Sequence, residues 1–440
     1  MNYPQAVSYL DELINYEKTP GYSYRDALNP ARIHGFLAAL GNPHHGLSVV
    51  HVAGSKGKGS TSICIASILR AGGYRVGLYT SPHLSDVRER IRVLSPEEPP
   101  VDYAGMITER ELASLVAGIK GQVEAFNRSS SEGRLTFFEV YTALALLYFK
   151  RRAVDCAVLE TGMGGRYDAT NAVEAAVCVI TPISLEHTEH LGSSLPEIAG
   201  EKAGIIKRRE APVVCAPQQD EVLSVVRRQC SSVSAQLITV DTRSFRGRVS
   251  LPGRHQRLNA AVAEEAALVF AGRTGLHLRR QEIERGLLEV RWPGRCELIS
   301  LRPRVLIDGA HNSASARALS QTIREEFSYK RLVLVFGSMQ DKDIEGMAGE
   351  LAPLADEVIL TRVEHPRCAA PETLTECFRP LPCRITHSVP DACVLALEGS
   401  MPGDLIVVCG SLYLAGAFRE EYRKFRRKAR RGGRAAGGSA

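Results

Sequence analysis

Apolar runs of strand length alternate with amphipathic stretches of helical period along most of the chain, which predicts α/β units built on a mostly parallel sheet. In the first part of the chain, strands are expected at 47–53, 75–79, 154–160, 177–181 and 212–216. A helix is expected over 60–71, ended by Gly72 and Gly73. A second series of strands is expected at 305–308, 332–337, 357–361 and 405–410.

The segment RWPGRCEL, at 291–298, interrupts this alternation between the two series. The chain has 440 residues, more than the ~250 to 300 at which a single core usually splits. We therefore expect two α/β domains, 1–297 and a smaller one, 298–425. The remainder, 426–440, is rich in Arg, Gly and Ala and is expected to be a disordered tail.

The composition is that of an ordinary globular protein, with 44% hydrophobic and 24% charged residues. The N-terminal stretch carries acidic residues and no long apolar run, unlike a signal peptide. The most apolar helical stretch, 140–149, is shorter than the ~20 residues that a membrane span needs. The 11 cysteines include no C-x-x-C pair, which disfavours a zinc cage or a redox motif. We expect a cytoplasmic protein without membrane contact.

The net charge of +6 is concentrated at one end of the chain. Residues 423–434, RKFRRKARRGGR, are mostly lysine and arginine, and the rest of the chain would be slightly acidic without them. The basic character therefore belongs to the tail and does not indicate a nucleic-acid-binding face. Nucleic acid is expected to bind only non-specifically, through this tail.

A glycine-rich loop, GSKGKGS, lies between the first expected strand and the first expected helix. It departs from the common phosphate-loop pattern, in which Gly-Lys is followed directly by Ser or Thr. Here Gly59 intervenes between Lys58 and Ser60, and Gly54 precedes Gly57 by only three residues. Backbone N–H groups at a helix start, with a lysine and a hydroxyl, suit the phosphates of a nucleotide and its metal. A plain glycine-rich turn is the alternative.

Two further segments place acidic residues at or just after the ends of expected strands, where parallel sheets bind their ligands. LETGMGGRYDATN, at 159–171, carries Glu160 and Asp168, although a solvated turn would also explain it. ITPISLEHTEHLG, at 180–192, carries Glu186 and His187. Carboxylate and imidazole next to a phosphate loop indicate a magnesium or manganese site.

Other candidates are weaker when each is taken alone. Lys202 lies on an expected helix, where a lysine is usually a solvated charge. In the second domain, LIDGAHNSASA places Asp308 at a strand end and His311 and Asn312 at a helix start. A helix N-cap explains Asn312 well, but it explains Asp308 and His311 less well.

Taken in order, these segments resemble the folylpolyglutamate synthase and dihydrofolate synthase family, within the Mur-type ATP-dependent amide ligases. The resemblance runs from about Tyr9 to Tyr413. The motifs that carry it are HVAGSKGKGST, YTSPHL, LTFFEVYTALA, LETGMGGRYDATN, HTEHLG, EKAGIIK, LNAA, WPGRCE, DGAHN and DKD. The family's phosphate loop has the same shortened spelling, so the resemblance favours ATP over a plain turn. It implies a P-loop-type ATPase domain followed by a Rossmann-like ligase domain.

The resemblance also implies roles for individual residues. The ATP-binding positions are Gly54, Gly57, Lys58, Gly59, Ser60, Asn259, Arg295 and Asp308. Magnesium, at two sites, would be held by Ser81, Glu160, His187 and Lys202, the last as a carbamylated lysine. The pterin-binding positions are Thr136, Phe137, Phe138, Glu139, Tyr167, Asp168 and Ala169, although the two phenylalanines also suit a helix core. The catalytic candidates are Lys58, His187, Lys202 and His311, and the resemblance allows K⁺ as a further cation.

The activity that the resemblance implies is ATP-driven amide formation by a monomer. A pterin carboxylate, of dihydropteroate or tetrahydrofolate, would attack the γ-phosphate, and the amine of L-glutamate would then displace phosphate from the acyl phosphate. His311 would lie near the glutamate. The alternatives are a peptidoglycan-type Mur ligase and a non-catalytic P-loop nucleotide-binding protein. Two positions depart from the family pattern: Glu186, where Asp is usual, and Lys56, where bacterial members usually have Asn.

Overall fold

A computed structural model describes residues 1–17 and 28–436, with side chains through residue 427. The chain forms two compact units. Unit 1 comprises Met1–Ser250 and Gln256–Arg291, and unit 2 comprises Leu251–His255 and the chain from Trp292 onward. The change of unit at Arg291 falls a few residues before the boundary expected at 297.

Unit 1 is built on a seven-stranded sheet with the order β3-β2-β4-β1-β5-β6-β7. Its strands are β1 (Val49–Ala53), β2 (Val76–Tyr79), β3 (Ile91–Leu94), β4 (Cys156–Glu160), β5 (Val177–Ile180), β6 (Val213–Cys215) and β7 (Leu237–Thr239). Only the pair β2 and β3 is antiparallel. The helices are Tyr3–Asp11, Pro30–Ala39, Lys58–Ala71, Glu109–Ser129, Phe137–Arg151, Thr188–Leu191, Leu195–Ala203, Asp220–Ser232, most of Arg254–Thr274, and Arg280–Leu288.

Unit 2 is built on a six-stranded sheet with the order β12-β11-β10-β13-β9-β8. Its strands are β8 (Glu297–Leu301), β9 (Arg304–Ile307), β10 (Leu332–Phe336), β11 (Glu357–Leu360), β12 (Cys383–Ile385) and β13 (Leu405–Cys409). The pair β8 and β9 is antiparallel and the other pairs are parallel. The helices are Ser313–Glu326, Ile344–Leu351, Pro371–Leu374, Val389–Glu398 and Leu412–Ala436.

The central strands are almost entirely apolar because helices cover both faces of each sheet, and the polar exceptions are His51 in β1 and Glu160 at the end of β4. Every residue of β1, β4, β10 and β13 is buried. These runs are the ones that the hydrophobic pattern predicted, and the prediction of two mostly parallel α/β sheets is confirmed.

The expectation of a disordered tail from residue 426 differs from the structure. The last helix, Leu412–Ala436, continues through this region: residues 426–431 are all alanine, lysine or arginine, which favour a helix, and Gly432 and Gly433 lie within its last turns. Residues 437–440 lie outside the described residues. No helix in the described ranges is both long and apolar enough to cross a membrane.

Candidate functional site

Four adjacent parallel strands of unit 1, β2, β4, β1 and β5, end at the same edge of the sheet. The segments that follow them carry most of the predicted site residues. Ser81 follows β2, Glu160 ends β4, the glycine-rich loop follows β1, and Glu186 follows β5. The topology therefore brings together, at the carboxyl ends of these strands, four motifs that are far apart in the sequence, as expected for the ligand crevice of an α/β sheet.

The glycine-rich loop has the backbone shape that a phosphate site requires. Gly54 and Gly57 have φ angles of 148° and 82°, and Lys58 begins the helix that follows. Among the described residues no side chain caps this helix start, whose N-cap is Gly57, so its N–H groups point into the loop. A Cβ on Gly57 would overlap the amide of Asn259. The structure thus places Asn259, a predicted ATP-contacting residue, directly against the loop.

The loop is fastened to the segment after β5 by three hydrogen bonds. The amides of Ser55 and Lys56 both donate to the carbonyl of Pro182 at 3.0 Å. The Ser55 hydroxyl donates to the carbonyl of Ser184, also at 3.0 Å. The segment that carries Glu186 is therefore held beside the loop by backbone geometry.

A buried group of charges lies between the loop and this segment. Lys202 is 1% exposed, and its Nζ donates to the carbonyl of Gly54 at 2.8 Å and to Oε1 of Glu186 at 2.9 Å. Nζ of Lys58 donates to the same Gly54 carbonyl at 3.1 Å. Nζ of Lys56 lies 3.6 Å from Oε2 of Glu186. The interpretation of Lys202 as a solvated surface charge is therefore wrong, because its helix packs against the loop.

Burial and the neighbouring charges shift the pKa values of Lys202 and Glu186. Burial lowers the pKa of Lys202 to about 8, although the charge of Glu186 acts in the opposite direction. Burial raises the pKa of Glu186, but the positive charges of Lys58, Lys202 and Lys56 outweigh burial and bring it to about 2. Glu186 is therefore ionised at neutral pH, whereas Lys202 can lose its proton far more easily than an ordinary lysine.

The predicted metal ligands have the donor chemistry that Mg²⁺ requires. Glu160 is 4% exposed, and its Oε2 accepts a hydrogen bond from the amide of Ser81 at 3.1 Å. Ser60 lies in the first turn after the loop. Carboxylate and hydroxyl oxygens are preferred ligands of Mg²⁺, so these residues fit the ion. His187 is exposed in a left-handed turn beside Glu186.

No group of three His, Cys, Asp or Glu side chains that could hold a metal occurs in the described part of the chain. The predicted ligand set contains only two residues of these types, Glu160 and His187. Its other members are Ser81 and Lys202, and the lysine would become a ligand only after carbamylation.

The predicted pterin-binding residues fall into two groups. Thr136 and Glu139 form a capping box at the start of the helix Phe137–Arg151, and Glu139 also forms a buried ion pair with Arg32 at 2.8 Å. Phe137 is 4% exposed and belongs to the core. Those three residues have a clear structural role in the fold.

The second group lies at the turn after β4. Phe138 is only partly buried, and its ring lies so close to Gly162 that a Cβ there would be 2.6 Å from Cζ. Asp168 is buried, while Tyr167 is partly exposed beside it and Ala169 begins a short helical turn. This turn and the Phe138 ring form the more accessible part of the predicted acceptor site.

Unit 2 has its own cluster at the carboxyl end of β9. The carboxylate of Asp308 accepts hydrogen bonds from the amides of Cys296 and Ala310, both at 2.8 Å. Nδ1 of His311 donates to the carbonyl of Gly309 at 2.8 Å, and a Cβ on Gly309 would lie 3.0 Å from Nη1 of Arg295. The structure therefore brings Arg295, Asp308 and His311 together. Asn312 caps the next helix, as the N-cap interpretation held.

Sequence reasoning did not identify three polar residues of the unit 1 site: His51, Thr181 and Ser55. His51 lies on β1 and is fully buried. Thr181 packs against Gly54, where a Cβ would overlap its hydroxyl. The one available signal was the histidine itself, which interrupts an otherwise apolar strand, VVHVA.

Comparison with known proteins agrees with this arrangement. Residues 294–412 match the family model described as "Mur ligase, glutamate ligase domain". The dihydrofolate synthase/folylpolyglutamate synthase of Bacillus subtilis is 32% identical over 95% of this chain and 98% of its own length. A Haloferax volcanii protein, "Probable bifunctional folylpolyglutamate synthase/dihydropteroate synthase", is 37% identical over 95% of this chain. The chain spans 50% of that relative's length.

Solved structures show the same fold. Mycobacterium tuberculosis folylpolyglutamate synthase, complexed with ADP and AMPPCP, superimposes with a TM-score of 0.81 and 31% identity, covering 95% of this chain and 97% of that one. A folylpolyglutamate synthase complex with AMPPCP and folate gives a TM-score of 0.78 and 32% identity, covering 96% of this chain and 100% of that one. The likeness thus extends over both units.

Proposed function

Because the chain belongs to the folylpolyglutamate synthase and dihydrofolate synthase family of ATP-dependent ligases, we propose that it joins L-glutamate to the carboxylate of a pterin. The acceptors are dihydropteroate and tetrahydrofolate. The observation that carries the proposal is the charged group at the glycine-rich loop, where Lys58 and Lys202 both bind the carbonyl of Gly54. A loop that only turned the chain would not gather two lysines around one carbonyl.

In the proposed reaction, a pterin carboxylate oxygen attacks the γ-phosphorus of ATP, the bond from that phosphorus to the bridging oxygen breaks, and ADP leaves. The amine of glutamate then forms the amide and displaces phosphate from the acyl phosphate. The helix N-terminus and Lys58 stabilise the negative charge on the transferring phosphoryl oxygens. Ser81, Glu160, His187 and carbamylated Lys202 would hold Mg²⁺, which would add positive charge near the transferring phosphoryl group. A second Mg²⁺ and K⁺ remain predictions from the family resemblance.

Lys202 is the residue that we propose to be carbamylated. The reaction joins the neutral amine to CO₂ and releases one proton, which leaves a carbamate. With a pKa of about 8, about a tenth of the amine is neutral at pH 7, compared with fewer than about one in a thousand for an ordinary lysine. Lys58 and Lys56 lie close enough to offset the new negative charge beside Glu186. Isotope-labelled bicarbonate should give a carbamate NMR signal that is missing in Lys202→Ala.

The proposed activity is tested by phosphate release from ATP with glutamate and either dihydropteroate or tetrahydrofolate. We expect release with both acceptors, and a product heavier by one glutamyl residue in mass spectrometry. Lys58→Met should abolish release, whereas Lys120→Met, on the surface of another helix, should not change it. ATP binding without release would instead indicate a non-catalytic nucleotide-binding protein. Release with tetrahydrofolate alone would remove the dihydrofolate synthase part of the proposal.

Roles in unit 2 are proposed from the family resemblance. Asp308 and Arg295 would contact ATP, and His311 would act on the glutamate side, where it could assist loss of the ammonium proton. His311→Ala should then raise the KM for glutamate and leave the KM for ATP unchanged, and Asp308→Asn should do the reverse. A monomeric state and a cytoplasmic location also remain predictions.

A further inference from the structure

A buried carboxylate shapes the turn that follows β4. Oδ2 of Asp168 accepts hydrogen bonds from the amides of Gly162 and Met163, at 2.9 and 3.0 Å. Its Oδ1 accepts two more from Thr170, one from the amide at 3.0 Å and one from the hydroxyl at 2.5 Å. With four donors on one carboxylate, the turn from Gly162 to Thr170 is held by a single side chain.

The chain of hydrogen bonds continues from Thr170 to a histidine on the neighbouring strand. Nε2 of His51 lies 2.8 Å from the Thr170 hydroxyl oxygen, and both side chains are fully buried. His51 is on β1, three residues before Gly54. The strand β1 therefore leads directly into the phosphate loop, and the side chain of its His51 contacts the Asp168 turn.

The direction of each proton in this chain follows from the chemistry of the groups. The Asp168 carboxylate accepts hydrogen bonds, so the Thr170 hydroxyl donates to it. The hydroxyl oxygen must then accept the hydrogen bond from His51, which requires a proton on Nε2. Burial, with a smaller contribution from Lys207, lowers the pKa of His51 to about 3, so the ring is neutral and its proton is on Nε2 alone. Nδ1 accordingly has no hydrogen-bond partner among the described residues.

We propose that His51 is a positioning residue for the pterin acceptor: its Nε2–H orients the Thr170 hydroxyl toward Asp168 and so fixes the turn that faces the acceptor. This inference rests on the proposed function. The turn matters for the acceptor because Gly162 lies against the ring of Phe138, at a distance that leaves no room for a Cβ. A shift of the turn would therefore move or tilt the ring. His51 itself is fully buried and does not contact a substrate.

Two substitutions separate this role from simple packing. The side-chain nitrogen of Gln reaches about as far from the backbone as Nε2 of histidine, whereas that of Asn ends near Nδ1. His51→Gln should keep the hydrogen bond to Thr170, and His51→Asn should lose it. We expect His51→Asn to raise the KM for the acceptor about tenfold or more and His51→Gln to raise it less than about threefold. In both variants the KM for ATP and kcat should change less than about twofold.

Thr170 supplies a matched second pair. Thr170→Val removes the hydroxyl but keeps the shape, and Thr170→Ser keeps the hydroxyl. Thr170→Val should raise the KM for the acceptor as much as His51→Asn does. The double variant, His51→Asn with Thr170→Val, should have a KM no higher than that of either single variant, because both substitutions break the same series of hydrogen bonds. A purely structural role predicts something else: lower melting temperatures, additive effects, and no selective change in the KM for the acceptor. That outcome would overturn the inference.

The tautomer of His51 can be measured without any activity. Nitrogen NMR of the histidine side chains, with the His51 signal assigned by its loss in His51→Gln, should show a neutral ring protonated at Nε2. A proton on Nδ1 would overturn the inference even if His51→Asn and Thr170→Val fail to fold. If the wild-type protein releases no phosphate with either acceptor, the proposed function fails, and the acceptor role of His51 fails with it, whatever the tautomer.

Discussion

Replacement of Glu186 by Gln should destabilise unit 1 in a narrow range of pH. The substitution keeps the shape of the side chain and removes the negative charge that Lys202, Lys58 and Lys56 share. The pKa of Glu186 is lowered from 4.5 to about 2, and the side chain is 13% exposed, so little of the interaction is lost to solvent. A shift of this size corresponds to about 3 kcal/mol of stability.

The sign follows from the direction of the shift. A carboxyl group whose pKa is lower in the folded state adds stability that is complete above about pH 4.5 and disappears as the pH falls toward about 2. The pKa of Lys202 is also lowered, from 10.5 to about 8, so its protonated form costs stability below about pH 8, and the cost disappears as the pH rises toward about 10.5. Without Glu186 this cost grows. The destabilisation by Glu186→Gln should therefore be largest between about pH 5 and 8 and shrink on both sides.

The assay is urea unfolding in CO₂-free buffer, followed by far-UV circular dichroism at about pH 3, 6.5 and 9. The only tryptophan, Trp292, belongs to unit 2, so its fluorescence serves as an internal reference that the substitution should not change. Glu189→Gln, at an exposed position of the same segment, is the control. An equal loss of stability at all three pH values would show that Glu186 acts through packing and not through its charge.

Three further outcomes follow from the same geometry. Lys202→Ala should abolish turnover but retain ATP binding, and added acetate should restore part of the turnover. Lys202→Arg should be inactive, and acetate should not restore its turnover. Normal turnover by Lys202→Arg would contradict the proposed carbamate. Gly57→Ala, with a φ of 82° and no space beside Asn259, should weaken ATP binding more than about tenfold in calorimetry, whereas Gly121→Ala should not. Glu186→Asp should change kcat/KM less than about tenfold; a hundredfold gain would mark this protein as a weakened family member.

The sequence predicted the centre of both sheets better than their edges. Central parallel strands such as β10 and β13 are buried on both faces and therefore read as unbroken apolar runs. The four strands that the hydrophobic pattern missed, β3, β7, β8 and β12, all lie at sheet edges. β3 carries Arg92 in its middle, and β7 and β12 have only three residues each. Edge pairing depends on the exposed backbone of the neighbouring strand, which the sequence of the edge strand does not reveal.

The residues of the site also differ in whether the sequence could predict them. The loop and Glu160 could be predicted because the loop directly follows a strand and Glu160 ends one, and strand ends are visible in the sequence. The burial of Lys202 could not, since it depends on a helix that packs against a loop 148 residues away in the chain. His51 shows the same limit, because its role depends on Thr170, which lies 119 residues away. Contacts of this kind come from the topology of the sheet and leave no local pattern.

The two departures from the family pattern, Lys56 and Glu186, explain each other in the structure. Oε1 of Glu186 accepts a hydrogen bond from Lys202, and its Oε2 lies 3.6 Å from Nζ of Lys56. The extra methylene of Glu, compared with Asp, extends the carboxylate toward both lysines. If Lys202 becomes a carbamate, its positive charge is lost, and Lys56 remains as a cation beside Glu186. An asparagine at position 56 could not provide that charge. The longer side chain of Glu186 and the added charge of Lys56 therefore act together. Glu186 keeps a positive partner at the loop when Lys202 changes from a cation to an anion.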